Sequence, residues 1–275
     1  MTTSDVFKAY DIRGTYPDQI DESLARAIGS AFATFTGAPH IVMARDMRPS
    51  GTTMCAAFAE GARAVGTKVT DLGLASTDFL YFAAGYLDLP GAMFTASHNP
   101  AQYNGIKLCR EGAKPVGTDT GLREIEALTN EFLATPASGP LAAADERNLM
   151  GEWVTHVHSF INPSALRPLK VVADTANGMG GFVAPKVFDG LPCDLEIMYP
   201  ELDGTFPNHP ADPIQPENLR DLQARVLEVG ADIGLAFDGD ADRVFLIDEK
   251  AQPISRSEEH TSELQSRLHL VCRLL

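Results

Sequence analysis

Two short stretches hold the residues best equipped for chemistry. In Thr95-Ala96-Ser97-His98-Asn99-Pro100 a hydroxyl nucleophile sits on a tight turn with imidazole and amide neighbours. In Asp238-Gly239-Asp240-Ala241-Asp242-Arg243 three carboxylates alternate, and the glycine lets the backbone curl so that they converge on one hard cation, Mg²⁺ or Ca²⁺. Without a cation the carboxylates repel one another. Arg13, Lys107 and Arg243 add positive charge. Such a set suits phosphoryl transfer, in which the metal and the basic side chains hold phosphate oxygens while the serine oxygen attacks or leaves in line. Acyl transfer fits less well, because Gly-x-Ser-x-Gly is absent and the adjacency of Ser97 and His98 does not by itself place an imidazole on the serine hydroxyl. The acidic loop has two other readings. One is an EF-hand, whose D-x-D-x-D start is present with Glu249 at the twelfth position, but Arg243 stands where that loop requires glycine and the flanks read as strands. The other is an ion-free surface turn, which the apolar runs on both sides disfavour.

The elements that must position these loops follow from the hydrophobic pattern. Leu89–Phe94 reads as a buried strand that ends just before Ser97, and Ile106–Leu108 as the strand after it. Phe7–Gly14 reads as a strand ending at Gly14. Asp21 is placed to cap a helix with the apolar face Leu24, Ile28, Phe32 and Phe35, and Met54, Phe58, Ala62 and Val65 mark a second. His40–Ala44 and Lys68–Gly73 read as strands, Phe79–Leu87 as a further apolar stretch, and Leu122, Ile125, Leu128 and Phe132 as another helix face. The Ala-, Ser- and Pro-rich segment Thr135–Ala144 reads as a linker, followed by a helix from about Asp145 to Ile161 with Trp153 in the core. In the second half, Lys170–Asp174 running into the Gly-rich Thr175–Gly181 repeats the shape of Ile41–Gly51. Leu195–Met198 answers the strand at Lys68, Pro216 opens a helix with Leu219, Leu222, Val226 and Val229, and Ile233–Phe237 answers the strand before Ser97. Two similar α/β modules result, each built around one strand-end loop. Arg45 and Arg48 read as solvated loop residues, His98 as either a phosphate ligand or a turn cap, and His156, His158 and His209 carry no assigned role.

Composition narrows the partners. The chain has 275 residues and a net charge of −15, which argues against nucleic acid or an anionic membrane as the main partner. Cys55, Cys109, Cys193 and Cys272 show no paired spacing, and no apolar run reaches transmembrane length, so a cytoplasmic setting is expected.

Four motifs, occurring in order, carry a resemblance to a known family. They are the Phe7–Gly14 opening, Thr95–Pro100 with Tyr103-Asn104-Gly105-Ile106-Lys107, Asp203-Gly204-Thr205-Phe206-Pro207-Asn208-His209, and Asp238–Arg243. Together they resemble the α-D-phosphohexomutases, the family of bacterial phosphomannomutases and phosphoglucomutases, from about Val6 to Ser255. The resemblance implies two consecutive three-layer α/β/α modules with mixed sheets, domain I over residues 1–144 with the phosphoserine loop and domain II over residues 145–255 with the metal loop. It implies that Ser97 carries the exchanging phosphoryl group and that His98 positions it. Asp238, Asp240 and Asp242, with the Ser97 phosphate, would bind Mg²⁺, and Arg243 would contact the transferring phosphate. Lys107 would act near the sugar hydroxyl as base or electrostatic stabiliser, with Arg13 beside it and Tyr10 in support. The implied reaction interconverts hexose 1-phosphate and 6-phosphate through a bisphosphorylated sugar, with a sugar 1,6-bisphosphate as activator and a phosphorylated hexose as partner. Phosphoglucosamine mutase is the nearest enzymatic alternative, and a non-catalytic divalent-metal or interaction module the alternative from another class.

Family members continue with a third domain that carries the sugar-recognition loop and a fourth that clamps the non-reacting phosphate. From Arg256 this sequence departs from the family. Residues 256–275 read as foreign sequence joined by truncation, frameshift or assembly error, or, on the spacing of Leu264, Leu268, Val271 and Leu275, as a docking helix. The expectation is a phosphohexomutase sequence whose mutase activity in this chain is impaired.

Overall fold

A computed structural model describes residues 3–254, which fall into two units. The tail reading over residues 256–275 and Cys272 lie outside the described residues. One unit holds the chain up to Ala96 together with Pro100–Leu149; the other holds Ser97–Asn99 and the chain from Met150 onward.

In the first unit the strands β1 (Ile12–Thr15), β2 (His40–Arg45), β3 (Lys68–Leu74), β4 (Gly91–Phe94), β5 (Tyr103–Arg110), β6 (Lys114–Pro115) and β7 (Ala144–Glu146) form one mixed sheet. Its helices are α1 (Glu22–Thr36), α2 (Gly51–Ala64), α3 (Thr77–Leu87) and α4 (Leu122–Ala134). The sheet order is β1-β5-β4-β2-β3-β7, with β6 on β5. Strands β4, β2, β3 and β7 run parallel, and β5 is antiparallel to both β4 and β1. Asp21 caps α1 as its position predicts, its carboxylate accepting from Leu24 N at 2.8 Å. Leu24, Ile28 and Phe32 then pack with Phe58 of α2, Ile125 of α4 and Ile41, Met43, Phe94 and Ile106 of the sheet. The opposite sheet face belongs to α3: a Cβ at Gly91 would meet Leu80 and Ala84.

Three sequence expectations change here. The opening strand is Ile12–Thr15, so it runs past Gly14, and Phe7 joins it only through a single bridge to Ile12. The apolar stretch Phe79–Leu87, by contrast, simply falls within the helix α3. The expected linker is tied down: Arg63 Nε donates to Ala142 O at 2.6 Å, and Ala144–Glu146 adds a parallel edge strand to β3. Asp145 and Glu146 are therefore strand residues, and the following helix starts only at Met150.

The second unit contains α5 (Met150–His158), β8 (Leu169–Asp174), α6 (Gly180–Phe188), β9 (Cys193–Met198), α7 (Arg220–Val229), β10 (Ile233–Phe237) and β11 (Val244–Asp248). Its sheet order is β11-β10-β8-β9, with only β11 antiparallel. This is the order and direction of β5-β4-β2-β3, so the repeat read in the sequence is a repeat of topology. Pro216 opens a single 3₁₀ turn, Pro216–Leu219, and α7 continues from it. Leu222 and Val226 of α7 pack on Val172, Ala236 and Ile247, and Trp153 is buried. Among the described residues no helix is long and apolar enough to cross a membrane.

The pair α1/α2 meets backbone to backbone. A Cβ at Gly29 would lie 2.0 Å from Phe58 O, and one at Gly61 would lie 1.9 Å from Arg26 O. Alanine at Gly61 would gain roughly 1 kcal/mol of helix propensity. Forcing the helices apart costs about 1–3 kcal/mol and removes their apolar contact as well. Gly61→Ala is therefore expected to lower the urea midpoint of the first unit; a raised midpoint would show that the helices separate without cost.

Candidate active site

The acidic loop is the connection from β10 to β11. Its ends are closed by Asp238 N donating to Arg243 O at 3.2 Å and by Arg243 N donating to Asp238 Oδ1 at 3.1 Å. Ala241 takes a left-handed φ of 57°. The curl brings one carboxylate oxygen each of Asp238, Asp240 and Asp242 within 4.8 Å of one another. Asp238 and Asp240 are fully buried, whereas Asp242 is exposed. Gly239 is required by close approach on one side: a Cβ there would lie 2.5 Å from Ser97 O. On the other side Gly239 O accepts from Met179 N at 2.9 Å, so the Gly-rich turn before α6 buttresses the loop.

Ser97 sits on the connection from β4 to β5, the counterpart of the acidic loop in the repeat. It is buried, with a left-handed φ of 52°. Its hydroxyl is gripped from both directions: Oγ donates to Asp238 Oδ2 at 2.8 Å and accepts from Arg243 Nη2 at 2.8 Å. Arg243 also donates Nε to Asp238 Oδ2 at 2.8 Å and Nη2 to His98 Nδ1. His98 thus lies against the same guanidinium that holds Ser97.

The electrostatics follow from this crowding. Burial, then the charges of Asp240 and Asp242, push the Asp238 carboxyl up to about 8 against the opposing pull of Arg243 and the Ser97 hydrogen bond. Burial works against the Arg243 charge, but the Asp238 carboxylate outweighs it and raises the guanidinium further. Three carboxylates that bring one oxygen each within 4.8 Å of one another are a donor set of hard oxygens, and a divalent cation is the group that fits them.

The residues predicted from sequence divide between the units. Ser97, His98, Asp238, Asp240, Asp242 and Arg243 come together in the second. Arg13 and Lys107 come together on the first sheet: Arg13 is registered opposite Gly105, two positions from Lys107 on the same face of β5. That face is turned away from the α1/α2/α4 core, where Ile106 and Leu108 pack. Arg13 pairs with Asp11 at 3.6 Å, and Tyr10 is exposed.

Two groups were missed. Arg48, read as solvated, is buried and paired with buried Asp46 at 3.2 Å. His209, given no role, donates Nε2 to Asp174 Oδ2 at 3.0 Å and Nδ1 to Pro210 O at 2.9 Å, with its ring against Tyr199. Asp174 is also the residue that turns the chain after β8, accepting from Ala176 N at 3.0 Å. The only trace of either group in the sequence is an aspartate at or just past the end of a parallel strand, a position that calls for a cation.

A repeated α/β/α module, with a serine on one strand-end connection and a carboxylate cluster on the matching one, defines the class of protein. The family models named phosphoglucomutase/phosphomannomutase alpha/beta/alpha domain I and domain II match residues 4–134 and 151–251. The chain belongs to that phosphohexomutase family. It is 40% identical over 253 residues to a phosphomannomutase of Escherichia coli, covering 90% of this chain and 56% of that protein. It is 42% identical over 248 residues to a protein of Xanthomonas campestris named phosphohexose mutases, covering 90% of this chain and 55% of that one. A solved phosphoglucomutase/phosphomannomutase family protein from Burkholderia thailandensis superposes with a TM-score of 0.86 at 34% identity, covering 98% of this chain and 60% of that one. The chain thus spans a little over half the length of the curated relatives it matches.

The His209 contact has a pH signature. Burial lowers its pKa, but the hydrogen bond and charge of Asp174 with the Pro210 carbonyl outweigh burial and raise it. A raised folded-state value means stabilisation that is complete below the unfolded pKa of about 6.5 and is lost as pH rises through the folded value. In urea denaturation, His209→Gln is expected to cost the second unit about 1–2 kcal/mol at mildly acidic pH and clearly less at alkaline pH. An equal loss at both would contradict a charged His209.

Proposed function

We propose that the chain acts as a phosphohexomutase of the phosphomannomutase/phosphoglucomutase type, with Ser97 exchanging a phosphoryl group with the 1- or 6-oxygen of a phosphorylated hexose. The observation that carries this reading is the two-sided grip on Ser97 Oγ, 2.8 Å from a buried carboxylate and 2.8 Å from a guanidinium. When a sugar 1,6-bisphosphate donates, the bond from phosphorus to Ser97 Oγ forms as the bond to the sugar oxygen breaks. Asp238 lies where it can accept the serine proton, and Lys107, assigned to the sugar hydroxyl, gives a proton to the departing sugar oxygen. Arg243 holds positive charge at Ser97 Oγ, where phosphate oxygens gather, and does so without reorganisation because Asp238 already fixes its Nε. His98, beside the same guanidinium, is assigned to positioning the phosphate. Mg²⁺ is the cation we assign to Asp238, Asp240 and Asp242, where it would neutralise charge on the transferring phosphate. Lys107 and Arg13, sharing one sheet face, are assigned to the sugar hydroxyl and the phosphate it carries. Return of the phosphoryl group to the other sugar oxygen completes the mutase reaction, and the bisphosphorylated hexose is both intermediate and activator.

The test is the intact mass of the chain after incubation with a hexose 1,6-bisphosphate and Mg²⁺. One added phosphate, absent in Ser97→Ala, is the expected result. An unmodified chain, or equal labelling of Ser97→Ala, would count against the assignment.

A further inference from the structure

The serine loop needs a foundation that its own residues do not supply. Ser97 holds a left-handed backbone without being glycine, a conformation that persists only where the surroundings impose it. The two feet of the loop, Phe94 before it and Pro100 after it, are both fixed from the turn that follows β2. Asp46 N donates to Phe94 O at 2.9 Å. Arg48 Nη1 donates to Pro100 O and to Tyr103 O, each at 2.8 Å. Asn104, next to Tyr103 on β5, adds a fourth tie, donating Nδ2 to Ser50 Oγ at 2.8 Å.

Arg48 is itself held. The Asp46 carboxylate accepts from Arg48 N at 2.9 Å through Oδ1 and from Arg48 Nε at 3.2 Å through Oδ2, and both side chains are fully buried. A buried ion pair is a poor device for stability alone, because desolvation consumes most of its Coulomb gain. A guanidinium fork supplies direction instead: Nε and Nη1 lie in one plane and address a carboxylate and two carbonyls simultaneously. Its partners are the carbonyls at which the chain re-enters the first sheet, immediately after Ser97–Asn99.

The same device recurs in the second module. Asp174, ending the strand that corresponds to β2, accepts from the backbone two residues on and from His209, and the turn it shapes supports Gly239 of the acidic loop through Met179 N. Each module thus carries a buried aspartate, a cation on its second oxygen, and a turn that braces a strand-end loop.

We propose that Arg48 is a positioning residue for phosphoryl transfer, fixing the carbonyls that set the path of the chain carrying Ser97. The inference rests on the reading of Ser97 as phosphoryl carrier, so its test needs one readout independent of that reading.

Arg48→Lys keeps a positive charge beside Asp46 but replaces the planar fork by a point donor. Two measurements on the full chain are compared with the parent: amide hydrogen exchange over residues 95–105, and the rate of phosphate uptake from a hexose 1,6-bisphosphate against its concentration. Exchange over that segment is expected to rise by about tenfold or more while exchange in α1 and α7 stays unchanged. The maximal rate of uptake is expected to fall about tenfold to a hundredfold, with the half-saturating concentration moving less than about twofold, as misplacement without lost binding requires. Asp46→Asn, which leaves an oxygen for Arg48 N but frees the guanidinium, is expected to give the same pattern more weakly.

Unchanged exchange over residues 95–105, or uptake within about twofold of the parent, would overturn the proposal. Loss of the fold in both variants would also overturn it, by assigning Arg48 to stability. A parent chain that takes up no phosphate would refute the reading of Ser97, while the exchange result still decides whether Arg48 places the loop.

Discussion

The arrangement depends on one carboxylate taken out of water. Asp238 is buried and crowded by two further carboxylates, and both effects raise the cost of its charge. A charge so placed is tolerated only with dedicated partners, and it has two: the Arg243 guanidinium and the Ser97 hydroxyl. The partners are thereby oriented as well. Arg243, anchored through Nε, directs its remaining donors at Ser97 and His98, and Ser97 is left with its oxygen between an acceptor for its proton and a fixed positive charge. The requirement to satisfy Asp238 is what turns a serine, an arginine and three aspartates into a site.

The repeat explains how the chain delivers these groups. In both modules the order of four strands is the same, and the functional loop is the connection from the third parallel strand to its antiparallel neighbour. The serine occupies that connection in one copy and the aspartates in the other, so a single topology yields two complementary loops. Close approach is secured by missing side chains: Gly239 admits the Ser97 carbonyl, and Gly178 admits the Gly239 carbonyl. A methyl group at either position would separate what the carboxylate must hold together.

Much of this was legible because it is local. Asp21 and the spacing of Leu24, Ile28 and Phe32 specify α1, and the alternation of Asp238, Asp240 and Asp242 marks a loop able to hold a cation before any fold is known. The edge strand Ala144–Glu146 left no apolar signal, since its residues are exposed and it exists by pairing with β3; Asp145 meets Lys68 at 2.7 Å and Thr70. Arg48 was misread for a related reason. Beyond Asp46, its partners are backbone carbonyls 52 and 55 residues further along, which no side-chain pattern encodes. His209 likewise meets an aspartate 35 residues earlier, and the motif Asp203–His209 that contains it does not show that partner. Local periodicity specifies elements and motif loops, whereas the braces under those loops are products of tertiary folding.

The central claim is that Ser97 carries a phosphoryl group reversibly, and return of that group to a sugar is its most direct test. Chain labelled on Ser97 with radioactive phosphate is mixed with unlabelled hexose 6-phosphate and Mg²⁺, and the small molecules are separated. The account predicts label in a hexose bisphosphate, with loss from the protein at the same rate. Label that stays on the protein, or leaves only as inorganic phosphate, would contradict it.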